Sequence, residues 1–171
     1  PTLPGLPKMN HNIDNDFQIN AQIVKSDWLN SLLGIPLNLK RPLTLEGSVR
    51  DSNRKIEMTL NLPSFDYGKS SYERGYIRLT SPDDVLEAFA HLQQVGKNDG
   101  GTYWNIHALA EDNKLHTLLS FENNGKSNFS GIINTEANFY NNHHGMATAN
   151  TNIQPSTIAI GDSVWHVKPA S

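Results

Sequence analysis

Cysteine is absent from the 171 residues, which excludes disulfides, thiolate metal centres and a cysteine nucleophile. Basic residues are not in excess either: 14 lysines and arginines stand against 17 aspartates and glutamates, a net charge of −3. That balance excludes a protein that binds nucleic acid mainly by neutralising phosphates. No apolar run approaches the roughly 20 residues of a membrane-spanning helix. A G-x-S-x-G elbow, a P-loop, a dinucleotide fingerprint and an H-E-x-x-H motif are also missing. Hydrophobic residues make up 37% of the chain, too many for a disordered polymer and few for a sphere of this size. A single domain with much exposed surface is therefore expected. The chain starts at Pro1 with no positively charged leader before an apolar stretch, so it reads as a segment of a longer or processed precursor.

What is present is alternation, punctuated by 20 asparagines that gather where alternating segments end. Residues 1–15 hold Pro1, Pro4, Pro7 and Gly5, an irregular entry that cannot be a helix. From Asp16 the period is two: Phe17, Ile19, Ala21 and Ile23 alternate with glutamine and asparagine, as a half-buried strand requires. Residues 26–33 read as a short helix ended by Gly34, or as a loop burying Trp28. Leu43 to Val49 and Ile56 to Leu62 form two alternating runs around Asp51-Ser52-Asn53, an antiparallel hairpin. A further strand is expected over Tyr72 to Thr80.

Residues 82–95 are expected to form the one substantial helix. Ser81 suits its cap, Pro82 its first position, Asp83 and Asp84 the positive end of its dipole. Val85, Leu86, Phe89 and Leu92 fall at helical spacing and Gly96 stops the run. Beyond the loop at Lys97 to Gly101, alternation resumes through Trp104, Ile106 and Ala108 to a turn at Asp112-Asn113. It continues over Leu115 to Phe121, turns at Asn124-Gly125, and runs from Phe129 to Phe139. Ala147 to Ile153, Ile158 with Ile160, and Trp165 with Val167 complete nine or ten strands. Their connections are too short for parallel crossovers, so the sheet is an antiparallel meander over 16–171.

Residues with chemical potential are few. Asp83 and Asp84 fit the first turn of a helix better than acid–base chemistry. His143-His144 sits in a loop without a spaced third ligand and reads as a polar turn. His107 and His116 flank the Asp112-Asn113 turn and are placed to face each other as a solvated cross-strand pair. Asn12 to Asp16 lacks the glycine and terminal glutamate of a calcium loop, and Asn128-Phe129-Ser130 matches a glycosylation sequon that chance explains. Trp104, Phe121, Phe129 and Phe139 read as core aromatics before they read as a sugar platform. No catalytic residue, metal or cofactor is expected.

One apolar sheet face raises a problem of coverage. At about 25 cal/mol per Å² of apolar surface, leaving it in water is strongly unfavourable, and a helix of about 14 residues spans only about 21 Å. Either the sheet closes as a β-sandwich, or it curls into an open roll whose apolar lining accepts acyl chains.

The segment from Asn150 to Pro169, NTNIQPSTIAIGDSVWHVKP, resembles the TamB-like translocation and assembly family in its Bacteroidetes form. In that family an I-x-P-S-x-I segment precedes a polar turn and then W-x-V-x-P. The run NGKSNFSGIINTEANF, and PSFDYG within Leu43 to Thr80, are similar to its turn-and-strand spacing. The resemblance implies a non-enzymatic periplasmic slice of an AsmA-like protein anchored in the inner membrane elsewhere. It also implies a role in lipid movement between membranes or in outer-membrane protein assembly, with phospholipid or fatty acyl chains as partners. The helix at 82–95 departs from the family's continuous trough and is expected to plug or cap it.

The acyl-binding face is expected to comprise Phe17, Ile19, Ile23, Leu43, Leu45, Ile56, Met58, Leu60, Trp104, Ile106, Leu119, Phe121, Ile133 and Phe139. An open sheet also exposes two edges, which invites an edge-to-edge homodimer. The rival reading is a closed sandwich acting as an adhesion or carbohydrate-binding module, and a hydrolase or isomerase on a β-roll ranks last for want of paired acid, base and nucleophile.

Overall fold

Period-two alternation organises the whole chain, so nearly every segment finds its partner in the segment next to it. The structure, a computed structural model, describes residues 16–50, 55–82, 85–96, 100–123, 125 and 128–169. These form β1 (Phe17–Ile23), α1 (Asp27–Leu33), β2 (Leu37–Leu39), β3 (Leu43–Arg50), β4 (Lys55–Tyr67), β5 (Ser70–Thr80) and β6 (Leu86–Val95). They continue as β7 (Gly101–Glu111), β8 (Lys114–Asn123), β9 (Phe129–Asn141), β10 (Ala147–Ile153), β11 (Ser156–Ile160) and β12 (Ser163–Val167). All twelve strands belong to one open, curved antiparallel sheet, ordered β1-β3-β4-β5-β6-β7-β8-β9-β11-β12, with β2 beside β4 and β10 beside β9. The mainly β meander is thus the fold, and the closed sandwich is not: among the described residues the elements that pack closely are sheet neighbours, plus α1 against β2.

Where a helix is expected over 82–95, Leu86–Val95 form a strand. Leu86, Ala88, Ala90 and Leu92 alternate with Glu87, Phe89, His91 and Gln93, and β6 pairs along its length with β5 and β7. The same letters satisfy both periods, and Leu, Glu, Ala and Gln favour a helix locally. Two strands offering hydrogen bonds on both sides outweigh that preference of a few tenths of a kcal/mol per residue. Ser81 does not cap a helix. Its Oγ accepts from the Ile56 N–H at 2.7 Å and its own N–H donates to the Ile56 carbonyl at 3.0 Å, pinning the start of this connection to β4.

The one helix is instead the short one, α1, closed by Gly34 at φ +65° with its N–H on the Asn30 carbonyl at 2.9 Å. Trp28 lies exposed upon it. Ser26 Oγ and Asn30 Nδ2 both donate to the Leu37 carbonyl, at 2.7 and 2.6 Å, which ties α1 to β2, a three-residue strand too short to be legible. The entry at 1–15, the turn residues 51–53, Asp83 with Asp84, and Asn124 lie outside the described residues.

Two local devices set the registers. Asp112 and Asn113 adopt φ +46° and +60°, the left-handed pair that lets a two-residue hairpin match strand twist. Between Glu73 and Tyr76 the pairing of β5 with β6 slips by one residue, with Arg74 at φ +53°. Such a bulge re-aims side chains. Gly75 within it sits where a Cβ would meet Leu62 Cβ at 3.0 Å and Leu92 Cδ1 at 3.2 Å.

Gly131 admits the Phe121 ring over its backbone: a Cβ there would lie 2.5 Å from Phe121 Cζ. Gly131→Val is therefore expected to cost about 1–3 kcal/mol by overpacking, read as a lower urea midpoint. Adding Phe121→Leu should restore part of that loss. At the other end, Lys40 Nζ meets Asp66 Oδ1 at 2.7 Å and Ser71 Oγ donates to the same oxygen at 2.6 Å, bracing the β4–β5 hairpin. The Lys40 ammonium and then the Ser71 hydroxyl hold the Asp66 carboxyl below the ordinary carboxylate value. Its stabilisation is present above the unfolded pKa and is lost as pH falls through the folded one. Denaturation midpoints of wild type and Asp66→Asn should differ at pH 7 and converge as pH falls below the lowered Asp66 pKa.

Candidate functional site

In an antiparallel sheet directly paired residues share a face, so the registers assign every strand residue to one side. One row runs Ala21, Leu45, Leu60, Ile77, Ala90, Ile106, Leu119 and Ile133, crossing eight neighbouring strands. At strand spacing that is about 33 Å of uninterrupted apolar surface. A second row runs Leu92, Trp104, Phe121, Gly131, Ile158 and Trp165. A third carries Ile19, Gly47, Met58, Leu79, Ala88, Ala108, Thr117 and Thr135, reaching Ile153.

All fourteen residues named for the apolar face lie on this one side. Phe17 pairs through Val49 to Ile56, Ile23 pairs with Leu43, and Phe139 sits in line with Ala137 and Ile133. Missing from that set are Leu62, Phe65, Ile77, Leu79 and the whole contribution of β6. The helical reading of residues 82–95 hid Leu86, Ala88, Ala90 and Leu92, whose alternation was the available signal. Phe65 was hidden by a slip of phase: Leu62 and Phe65, three residues apart across Pro63-Ser64, line the same hollow. Proline cannot donate to the ladder, so the break falls where the alternation is already interrupted.

That hollow, about 410 Å³, lies at the middle of the face. Leu62, Phe65, Gly75, Ile77, Ala90, Leu92, Trp104, Ile106 and Leu119 give it an apolar lining, and Tyr72 and Gln94 are the polar side chains that share this face by register. Three of the sequence-named residues, Trp104, Ile106 and Leu119, are among its walls. Trp104 and Phe121 pack at 5.4 Å between ring centroids, Phe121 and Phe129 at 6.0 Å, and Phe65 stacks on Tyr72 at 5.2 Å.

The face is uncovered. Ile77 and Ile106, at the centre of the first row, keep 42% and 40% of their surface in water. Among the described residues only Leu43, Phe65 and Ala137 are buried apolar side chains.

Charge is confined to the opposite side. Apart from Arg74 at the bulge, every charged residue or histidine in a described strand falls on that face by register, from Glu46 and Glu57 to Glu136 and His166. His107 and His116 share it but do not face each other. His107 Nε2 meets Glu87 Oε1 at 2.9 Å beneath the stacked Phe89 ring, and His116 Nδ1 meets Glu136 Oε2 at 3.5 Å. Each histidine therefore pairs with a glutamate on its flanking strand.

His143 and His144 lie in the β9–β10 turn, where Asn142 Oδ1 accepts from the His144 and Met146 N–H groups. Among the described residues no three His, Asp or Glu side chains are grouped to hold a metal. On the charged side a hollow of about 440 Å³ lies between Arg50, Lys55, Glu57, Arg78 and Glu87, and in another of about 360 Å³ Tyr103, Ser120, Glu122 and Thr157 share the lining with Ile132 and Ala159. Hollows of similar size thus differ in chemistry, charged between Arg50 and Glu87 and apolar around Trp104, and the apolar one suits a ligand with no hydrogen-bonding demands.

The segment that carries the sequence resemblance folds as the β11–β12 hairpin, with Ile158 opposite Trp165 and the turn at Gly161-Asp162. No family model, curated protein or solved structure matches the chain.

Proposed function

We propose that this chain is a non-enzymatic lipid-holding segment of a cell-envelope protein, its apolar sheet face accepting phospholipid or fatty acyl chains. The observation that carries the reading is the charge-free row from Ala21 to Ile133, left open to water in a one-layer sheet. Uncovered apolar surface on this scale marks a place where something else binds. An acyl chain that shields about 200 Å² of it gains about 5 kcal/mol at the usual area coefficient, before the costs of association. Hydrocarbon needs shape and dryness and no fixed donors, and the hollow around Trp104, Ile106 and Leu119 offers that.

The wider setting follows from the resemblance of the Asn150 to Pro169 segment to TamB-like proteins. On this reading the chain works in the periplasm as part of an inner-membrane-anchored AsmA-like protein, serving phospholipid transport between membranes or outer-membrane protein assembly. In that setting a sheet whose rows run unbroken across successive strands is a path along which an acyl chain passes from row to row without meeting a charge. With residues 86–95 forming a strand, that path is continuous through β6.

Native mass spectrometry and solvent extraction of the purified chain should find co-purifying phospholipid or fatty acid. Titration with cis-parinaric acid should show affinity reduced at least about tenfold by Ile106→Asp or Ile133→Asp, a loss of about 1.4 kcal/mol or more. Far-UV circular dichroism of both variants should stay that of a β protein. Leu118→Asp, on the charged side, should bind as wild type does. A chain that carries no lipid, or whose affinity for the probe is left unchanged by Ile106→Asp and Ile133→Asp, would overturn the proposal.

A further inference from the structure

Among the described residues the open sheet has two outer edges that no strand covers, and they are unlike. The C-terminal edge is stepped: β11 and β10 share the flank of β9, and β12 stands one strand further out over β11 alone. β12 has five residues and is followed by Lys168 and Pro169. Short length, lysine and proline are the usual means by which an edge is kept from pairing. β10, seven uncharged residues paired to β9 alone, is set back one strand behind β12; within β1 none of these devices is present, and Asp16 and Lys25 flank it. β1 is outermost and seven residues long, FQINAQI, without charge, proline or bulge, and among the described residues β3 is its only strand partner.

Its two faces are also self-complementary. Phe17, Ile19, Ala21 and Ile23 point to the apolar side; Gln18, Asn20 and Gln22 point to the other. A short uncharged strand of high β-propensity with an amide on every second residue pairs readily with its own copy, because stacked amides hydrogen-bond to each other.

We infer that two copies of this chain join through β1, antiparallel, about a two-fold axis perpendicular to the sheet. That operator keeps both apolar faces on the same side and makes the contact isologous, so assembly stops at two. Side chains match face to face only in registers that set Asn20 against Gln18, Asn20 or Gln22 of the other copy. A shift by one residue would put isoleucine opposite glutamine. The apolar rows then run through the junction, and the ten-strand path becomes twenty strands, about 90 Å wide. This inference does not rest on the ligand proposed above: a dimer that binds no lipid would still bear it out.

Sedimentation velocity of the full chain, over a hundredfold concentration range reaching about 100 µM, should show a monomer giving way to a dimer and nothing larger. The Asn20→Lys/Gln22→Lys variant should remain monomeric, as should Asn20→Glu/Gln22→Glu. An equimolar mixture of the two should form the dimer again, because opposite charges then face each other across the junction. Hydrogen exchange on the wild-type chain reads the same contact without mutation: amides of β1 should slow as concentration rises while those of β12 do not change. Wild type that stays monomeric, a lysine variant that dimerises like wild type, growth beyond the dimer, or protection appearing at β12 would each overturn the inference.

Discussion

A period of two, held in step across ten neighbouring strands, is the constraint on which the rest of this molecule depends. Each strand contributes about half of its side chains to either face, and a slip of one residue in a strand would carry its polar or charged side chains onto the apolar side. The devices that prevent it are local and identifiable. The paired left-handed residues Asp112 and Asn113 fix one hairpin, the Lys40–Asp66–Ser71 brace fixes another, and Gly131 lets Phe121 lie flat across its neighbour. Where the register does shift, at Arg74 and Gly75, the alternation of β4 slips as well. Phe65 and Tyr72 thereby return to the apolar side and enclose the hollow instead of leaving it.

This arrangement separates two roles that a globular domain usually combines. In a two-layer sandwich the apolar face is consumed in holding the layers together, and stability and burial are the same fact. Here the backbone ladder and side-chain contacts between neighbouring strands carry the structure, and much of the apolar face is left over. Only three apolar residues among those described are buried. A surface of that kind is stable in water only if it is limited in width, shielded by a ligand, or continued into another sheet. The proposed acyl chains meet the second condition and the proposed β1 junction meets the third. The charged side supplies solubility, with Glu87–His107 and His116–Glu136 pairs spread over successive strands and not gathered into one site.

Curvature alone does not single out the candidate site, because hollows of comparable volume lie on both sides. Chemistry does. One side offers Tyr103, Ser120 and Glu122 to a polar partner or to water; the other offers aliphatic and aromatic carbon around Trp104 and Ile106. The helix expected at 82–95 would have interrupted this surface. As β6, the same residues place Leu86, Ala88, Ala90 and Leu92 into the rows and make them continuous from β5 to β7.

Taken alone, the residues determined an antiparallel meander, most of its hairpins, and the membership of one face. Alternation in Phe17 to Ile23, Leu43 to Val49, Ile56 to Leu62 and Phe129 to Phe139 admits only one period, and strict alternation cannot place those side chains on different sides. The tertiary structure alone decided the segment whose letters fit two periods. LEAFAHLQQV is helical by local preference, and it became a strand because β5 and β7 on either side could satisfy its backbone, a fact no window of ten residues contains. It also decided the phase break at Pro63-Ser64 and the three-residue β2, which depend on long-range pairing with β4 and β5. Above all it decided that the sheet stays open. Whether an apolar face is covered depends on where distant strands come to lie, and hydrophobicity along the chain reads the same in either case.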